Sequence, residues 1–89
     1  MKTIRVIIKG KVQGVFFRAT AKDMADNLGV KGFVKNSPDG NVEITASATG
    51  EKLNQFIAWC KKGPPRAVVT DIKVEELHFE DFTSFRIIR

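Results

Sequence analysis

The stretch Gly10–Arg18, which reads Gly-Lys-Val-Gln-Gly-Val-Phe-Phe-Arg, lies between an apolar run typical of a strand and a segment with helical period. Gly10 and Gly14 allow the connecting loop to turn its backbone N–H groups toward one point. Those amides would lie at the positive end of the following helix, where an anion is stabilised. Arg18 adds a planar fork of donors that fits the oxygens of a phosphoryl group. This glycine loop (Gly10–Arg18) therefore predicts a phosphate site.

The segments beside the glycine loop predict the elements that hold it. Ile4 to Ile8 is a short β-branched run, which favours a central strand. After the loop, apolar residues recur at helical spacing, and Gly29 is placed to end this helix in the left-handed conformation. The apolar stripe of the helix consists of Phe17, Ala21, Met24, Ala25 and Leu28.

A hairpin follows the first helix. Lys31–Ser37 and Asn41–Ala48 flank the sequence Pro38-Asp39-Gly40, which is a strong turn signal. Apolar and polar residues alternate along the second strand, which predicts one buried face and one face in water. The expected buried residues are Val42, Ile44, Ala46 and Ala48, and the expected exposed residues are Glu43, Thr45 and Ser47.

The remaining sequence predicts a second helix and two more strands. Glu51–Lys62 carries a buried helical stripe, and Gly63-Pro64-Pro65 ends it. Val68–Phe79 is a long strand whose apolar parity changes between Val74 and Leu77, so we expect a bulge or a bend there. The stripe of the second helix consists of Leu53, Phe56, Ile57 and Cys60, and the last short strand is Phe85–Ile88.

The order of these elements is β-α-β-β-α-β with a short extra strand at the C-terminus. A hairpin between two crossover helices predicts an α+β fold, the ferredoxin-like split β-α-β sandwich, with two helices on one face of an antiparallel sheet. The 89 residues are enough for one small core, so we expect a single domain over residues 1–89. This fold carries many functions and by itself indicates none.

Charge and composition narrow the class of ligand. The net charge is +5, and up to Asn36 eight Lys and Arg residues face two Asp, whereas from Ser37 onward seven basic residues face eight acidic ones. The positive excess therefore shares a half of the chain with the glycine loop, which suits a phosphate compound or a nucleic acid. A solubilising surface charge explains the same numbers equally well.

Several kinds of site are excluded by composition. A single cysteine, Cys60, rules out an internal disulfide, and with a single histidine, His78, it rules out a Cys/His zinc cluster. Cys60 falls on an apolar helical stripe and is interpreted as core, and His78 is interpreted as a surface residue. No apolar run has the length of a membrane span and the N-terminus lacks the apolar core of a signal peptide, so we expect a cytoplasmic protein.

The sequence of the glycine loop does not match the common motifs of phosphate-binding loops. Its glycines are four residues apart and no Lys-Ser/Thr follows, so it is not a Walker A loop, and the dinucleotide fingerprint is also absent. The site thus has no evident nucleophile, metal or general base. A mixed carboxylic–phosphoric anhydride suits such a site, because its leaving group is a stable carboxylate. Asn36 is a candidate for orienting the attacking water, although taken alone its position before Ser37-Pro38-Asp39-Gly40 favours a turn residue.

Together these residues resemble the acylphosphatase family. The resemblance rests on Gly10-x-Val12-Gln13-Gly14-Val15-x-Phe17-Arg18, followed by Asn36 in a Gly-aromatic-Val-x-Asn strand. It continues through Asp39-Gly40-x-Val42-Glu43, Gly63-Pro64-Pro65 and Phe85-x-Ile87, and so covers essentially the whole chain. Phe33 stands where a tryptophan is common in the family, and Lys11 stands where an arginine is frequent.

The resemblance implies metal-independent hydrolysis of an acyl phosphate to a carboxylate and inorganic phosphate. It implies that Arg18 binds the phosphoryl group and that Asn36 positions the water, without a phosphoenzyme. We expect the substrate to be a small molecule and the protein to be a monomer that needs no cofactor or metal and binds neither nucleic acid nor membrane. The expected substrate-binding residues, mainly through their backbone amides, are Gln13, Gly14, Val15, Phe16, Phe17 and Arg18. We expect the side chains of Val12, Val15 and Phe17 to anchor the loop.

Two alternatives stay open. Lys31-Gly32-Phe33-Val34 partly matches the RNP1 pattern of an RNA-recognition motif, but it lies in the second strand instead of the third. The third strand and the Ile4–Ile8 strand also lack the aromatic residues on which RNA bases would stack. The other alternative is a protein that keeps this fold for a regulatory or scaffolding role, which the presence of both Arg18 and Asn36 argues against.

Overall fold

The computed structural model describes residues 1–89 and contains five strands and two helices in the order β-α-β-β-α-β-β. These are β1 (Lys2–Lys11), α1 (Phe17–Leu28), β2 (Lys31–Asn36), β3 (Val42–Ala48), α2 (Gly50–Cys60), β4 (Val68–Leu77) and β5 (Phe85–Ile88).

The strands form one sheet in the order β4-β1-β3-β2-β5. The first four strands pair antiparallel, as predicted, whereas β5 pairs in parallel with β2, with Gly32 opposite Phe85. The ferredoxin-like fold with its extra strand is therefore confirmed, and the extra strand makes the sheet mixed. No helix of the structure is both long enough and apolar enough to cross a membrane.

The core lies between the helices and one face of the sheet. It is a single cluster of 18 buried apolar residues, in which the largest fully buried side chains are Phe17, Phe56 and Phe85. The predicted stripe of α1 is confirmed, because Phe17, Ala21 and Ala25 are buried and Met24 and Leu28 pack against the core. Gly29 ends this helix in the left-handed conformation, at φ 77°.

The opposite face of the sheet is covered in part, which the alternating pattern of β3 did not predict. Thr45 and Ser47 were expected in water, yet they are only 6% and 2% exposed. Ser47 is covered by residues 78–84, here named the crossing segment. Because β4 and β5 lie at opposite edges of the sheet, this connection has to pass over the face without helices. The Ser47 hydroxyl donates to the Glu80 carbonyl at 2.8 Å, and Phe82 packs edge-on against Phe33.

The bulge predicted between Val74 and Leu77 is wrong. The β1–β4 register is continuous there, and it shifts instead at the other end of β4, between Lys9 and Gly10. Leu77 breaks the apolar parity because it faces the side of the sheet opposite to Val74. At the real irregularity the two backbones approach closely, since a Cβ on Gly10 would lie 2.1 Å from the Val68 carbonyl oxygen.

Candidate active site

Three strands of the sheet have their C-terminal ends at the same end of the sheet. β1 and β2 are both antiparallel to β3, and β5 is parallel to β2, so these three strands run in the same direction. Their C-terminal ends bring together the glycine loop after β1, Asn36 at the end of β2, and Arg89 after β5. Strand direction thus gathers residues that are far apart in the sequence.

A pocket of about 280 Å³ lies at this end of the sheet, next to the C-terminal ends of the three strands. Arg18 and Asn36 both contribute to its wall, so the two side chains expected to act together do share one pocket. Both are partly exposed, and no acidic residue lines the pocket. The wall consists of Val12, Gly14, Phe16, Phe17, Arg18, Ala19, Asn36, Ile87 and Arg89.

The second half of the glycine loop and the start of α1 have backbone amides without protein partners. None of the backbone N–H groups of residues 13–19 donates a hydrogen bond within the protein, and the first helical bond of α1 runs from the Thr20 amide to the Phe16 carbonyl at 3.1 Å. Gly14 and Phe16 have φ angles of 74° and 64°, which turn the chain sharply into the helix. This region therefore offers free amides at the positive end of α1, as an anion site requires.

The left-handed conformation of Phe16 was not foreseen from the sequence. Phe16 is the N-cap of α1, makes no side-chain cap hydrogen bond and is 73% exposed. A positive φ is uncommon for a residue with a bulky side chain, and no local sequence pattern predicts it at Phe16. Phe16 is one of the residues that line the pocket, as is Arg18.

Apolar side chains hold the loop in place from below. Val12, Val15 and Phe17 are 1%, 6% and 2% exposed, so the expected role of these side chains as anchors is confirmed. The Phe17 ring lies 5.2 Å from the ring of Trp59. Gly63 also lies against the Phe17 ring, where a Cβ would come within 2.7 Å of Phe17 Cε2. The backbone that precedes Arg18 is thereby fixed to the core.

Arg18 makes no ion pair and no side-chain hydrogen bond in the protein. In the three ion pairs of the structure the basic partner is either Arg5 or Lys22. The guanidinium of Arg18 is therefore free to bind a ligand in the pocket. Together with Arg89 it makes the pocket wall positively charged.

The side chain of Gln13 points away from the pocket. Its Nε2 donates to the carbonyl oxygens of Ser37 and Asn41, at 2.8 and 2.9 Å. Of the residues expected to bind substrate, Gln13 and Val15 do not line the pocket, and only their backbones remain candidates. No local sequence pattern indicates this contact, because its partners lie 24 and 28 residues further along the chain.

The other chemically active side chains lie outside the pocket. Cys60 is fully buried, and burial raises the pKa of its thiol to about 12, which agrees with its interpretation as core. His78 is exposed on the surface. No group of three His, Cys, Asp or Glu residues is arranged to hold a metal ion. Phe33, the aromatic residue of the RNA-binding alternative, is partly buried against Phe82.

Comparison with known proteins gives a consistent result. The sequence model of the Acylphosphatase family matches residues 4–87. An acylphosphatase of Methylococcus capsulatus is 43% identical over 90 residues, which cover 100% of this chain and 98% of that protein. The crystal structure of the Bacillus subtilis acylphosphatase superposes with a TM-score of 0.97 at 40% identity, covering 100% of both chains. An acylphosphatase from Coxiella burnetii gives a TM-score of 0.94 at 38% identity, covering 98% of this chain and 92% of that one.

Proposed function

This chain belongs to the acylphosphatase family of hydrolases, whose substrates are small acyl phosphates, and we propose that the pocket at the end of β1, β2 and β5 is where it cleaves the carboxyl–phosphate bond. The free backbone amides of residues 13–18 and the Arg18 guanidinium hold the phosphoryl oxygens. This arrangement is stabilising because the donors are fixed before the substrate arrives. These donors and the positive end of the α1 dipole stabilise the negative charge that develops on the phosphoryl group.

Water attacks the phosphorus directly in the mechanism that we propose. Asn36 orients the water in line with the leaving group. As the new P–O bond forms, the bond from phosphorus to the acyl oxygen breaks and its electron pair leaves on the carboxylate. A phosphoryl oxygen takes the proton of the water, and the products are a carboxylate and inorganic phosphate. Because water attacks directly, no phosphoenzyme forms, and because a phosphoryl oxygen accepts the proton, the mechanism needs no basic side chain. The carboxylate is a stable leaving group, so the step needs neither an acid nor a metal to assist its departure.

The observation that carries this proposal is that Arg18, Asn36 and a run of unpartnered amides line one pocket with no acidic side chain. The test is hydrolysis of an aryl acyl phosphate in excess EDTA by wild type and Arg18→Ala. We expect turnover by wild type and a loss of at least about 100-fold in kcat/KM in the variant. Absence of turnover by folded wild type, or full turnover by Arg18→Ala, would refute the assignment.

The role of Asn36 has its own test. Asn36→Ala should lower kcat by about 10- to 100-fold, because the water loses its position. The inhibition constant of inorganic phosphate should stay within about twofold, because the amides and Arg18 still bind it. An effect on KM alone would contradict a role in placing the water.

We also propose that residues 1–89 act as a single-domain monomer in the cytoplasm. The single cluster of 18 buried residues supports one domain, because no second core is present. Sedimentation equilibrium at the concentration of the assay would test the monomer, and cell fractionation would test the location. Association at that concentration, or recovery in the membrane or secreted fraction, would overturn the corresponding statement.

A further inference from the structure

We infer that Gln13 is a positioning residue, which sets the distance between the amides of the glycine loop and the side chain of Asn36. This inference rests on the proposed function, in which the loop holds the phosphoryl group and Asn36 holds the water. Gln13 takes no part in the chemistry itself. Its carboxamide joins the two halves of the site from behind the pocket.

The contact lies next to both functional groups in the chain. Gln13 immediately precedes Gly14, the first pocket residue of the turn into α1, and Ser37 immediately follows Asn36. Gln13 Nε2 donates one hydrogen to the Ser37 carbonyl at 2.8 Å and the other to the Asn41 carbonyl at 2.9 Å. These are the hydrogen bonds by which residues 12–19 are tied to the β2–β3 hairpin. Both N–H groups of one rigid, planar amide are thus used for a single link.

The acceptors of Gln13 are themselves held rigidly. Within the turn, the Ser37 amide donates to the Asn41 carbonyl at 2.9 Å, and the Gly40 amide donates to the Ser37 carbonyl at 3.1 Å. The Asp39 carboxylate accepts from the Asn41 amide at 3.2 Å and from the Ser37 hydroxyl. The turn therefore presents two carbonyl oxygens to Gln13 in a fixed geometry, which makes it a firm support for the loop.

The link matters for the rate because β1 and β2 are not neighbours. β3 lies between them, and the paired part of β1 and β3 ends at Ile8 opposite Val42, before the glycine loop begins its turn. Beyond that pair no strand hydrogen bond fixes the loop relative to Asn36. An in-line attack depends on the position of the water to within about 1 Å. Without the link, phosphate still binds to the loop, but the water lies in a less favourable place.

The experiment is a double-mutant cycle on kcat with an aryl acyl phosphate. Gln13→Met keeps the length of the side chain and removes both donors, and the partly exposed carbonyls can then bind water. We expect kcat to fall about 10-fold while the inhibition constant of inorganic phosphate stays within about twofold. In the Asn36→Ala background, Gln13→Met should lower kcat by less than about twofold, because Gln13 acts through Asn36.

Two further variants separate positioning from folding. Gln55→Met makes the same chemical change at an exposed position of α2 and should leave kcat unchanged. Gln13→Glu places a carboxylate against two carbonyls at neutral pH and becomes a donor again when protonated. Its kcat relative to that of wild type should therefore rise as the pH is lowered toward about 4. A merely structural residue would show no such rise, and this ratio is informative even if Gln13→Met is too unstable to assay.

The outcomes distinguish this inference from the proposed function. If Gln13→Met lowers kcat by the same factor with and without Asn36, the two residues act independently and the inference is wrong. A change in phosphate affinity instead of kcat would also overturn it. If Asn36→Ala alone has no effect on kcat, the role proposed for Asn36 is wrong, irrespective of the result for the Gln13 variants.

Discussion

Arg18 is the residue on which the proposed chemistry depends most. It lies in the first turn of α1 and lines the pocket. Because the side chain has no partner inside the protein, its replacement should affect catalysis much more than stability. This separation is what a ligand-binding arginine should show, in contrast to a structural one.

We predict that Arg18→Lys loses at least about 100-fold in kcat/KM. An ammonium keeps the charge but lacks the planar fork that binds two phosphoryl oxygens at once. Steady-state kinetics with an aryl acyl phosphate measures the loss, and the midpoint of urea unfolding should move little. Arg66→Lys, a change at an exposed position between α2 and β4, is the matched control. Near-normal turnover of Arg18→Lys would remove Arg18 from its assigned role.

At the scale of the elements, the start of α1 is fixed by the turn that follows α2. Gly63 has a φ of 70° and lies against the ring of Phe17, the residue before Arg18. The Gly63 amide donates to the Trp59 carbonyl at 2.8 Å, which places this glycine at the end of α2. Two helices that are separate in the sequence thus meet directly beneath the candidate site.

We predict that Gly63→Ala destabilises the protein more than Gly29→Ala does. Both glycines have positive φ angles of 70° and 77°, so both replacements carry a similar backbone cost of about 1 kcal/mol. Only the Cβ at position 63 would collide, at 2.7 Å from Phe17 Cε2, and overpacking should add about 1–3 kcal/mol. Urea unfolding of both variants measures the difference. Equal losses would mean that the ring moves aside without cost.

The turn between β2 and β3 makes a pH-dependent contribution to stability. Hydrogen bonds from the Ser37 side chain and the Asn41 backbone hold the pKa of Asp39 below its ordinary value of 3.8. Since the pKa is lowered in the folded state, Asp39 stabilises the protein above pH 3.8. That contribution is lost as the pH falls through the lower folded pKa.

We therefore predict that Asp39→Asn makes the free energy of unfolding less dependent on pH below about 4. The difference in stability between wild type and this variant should be constant at higher pH and should shrink as the pH falls below 3.8. In wild type, NMR titration of the carboxyl should show the low pKa, and Ser37→Ala should move it back toward 3.8. An unchanged pKa in Ser37→Ala would show that the hydroxyl is not the main cause.

At the scale of the whole molecule, the crossing segment joins the two edges of the sheet. Thr3 and Ser47 meet beneath it, with their hydroxyl oxygens 2.6 Å apart. Ser47 donates to the Glu80 carbonyl at 2.8 Å, and the Glu80 amide donates to the Thr3 hydroxyl at 2.8 Å. These bonds connect β1 and β3 to the chain that leads into β5, whose end contributes Ile87 to the pocket wall.

We predict that Ser47→Ala lowers the free energy of unfolding by about 1–2 kcal/mol. The substitution removes a buried hydroxyl, so the Thr3 hydroxyl and the Glu80 carbonyl each lose one hydrogen bond. Ser84→Ala is the matched control, since the Ser84 side chain is exposed and makes no hydrogen bond. Chemical denaturation of both variants measures the effect. A loss no larger than that of Ser84→Ala would mean that the crossing segment is held by other contacts.

The amino-acid sequence alone determined the features that depend on neighbours in the chain. The spacing of apolar residues identified α1 and α2, Gly29 and Gly63-Pro64-Pro65 marked their ends, and Pro38-Asp39-Gly40 marked the hairpin. The glycine loop and Arg18 were identified in the same way, because a strand, a glycine turn and a helix N-terminus follow one another directly. Such signals act over a few residues and need no knowledge of the rest of the fold.

Only the tertiary structure decided what lies opposite what across the sheet. The strand order sends the crossing segment over the sheet, where it contacts Ser47, a residue whose place in the alternating pattern predicts exposure to water. The common direction of β1, β2 and β5 brings Asn36 into the pocket of Arg18, and Gln13 reaches the carbonyl of Ser37. These contacts join residues separated by tens of positions, so they depend on the pairing of whole strands, which no local sequence pattern specifies.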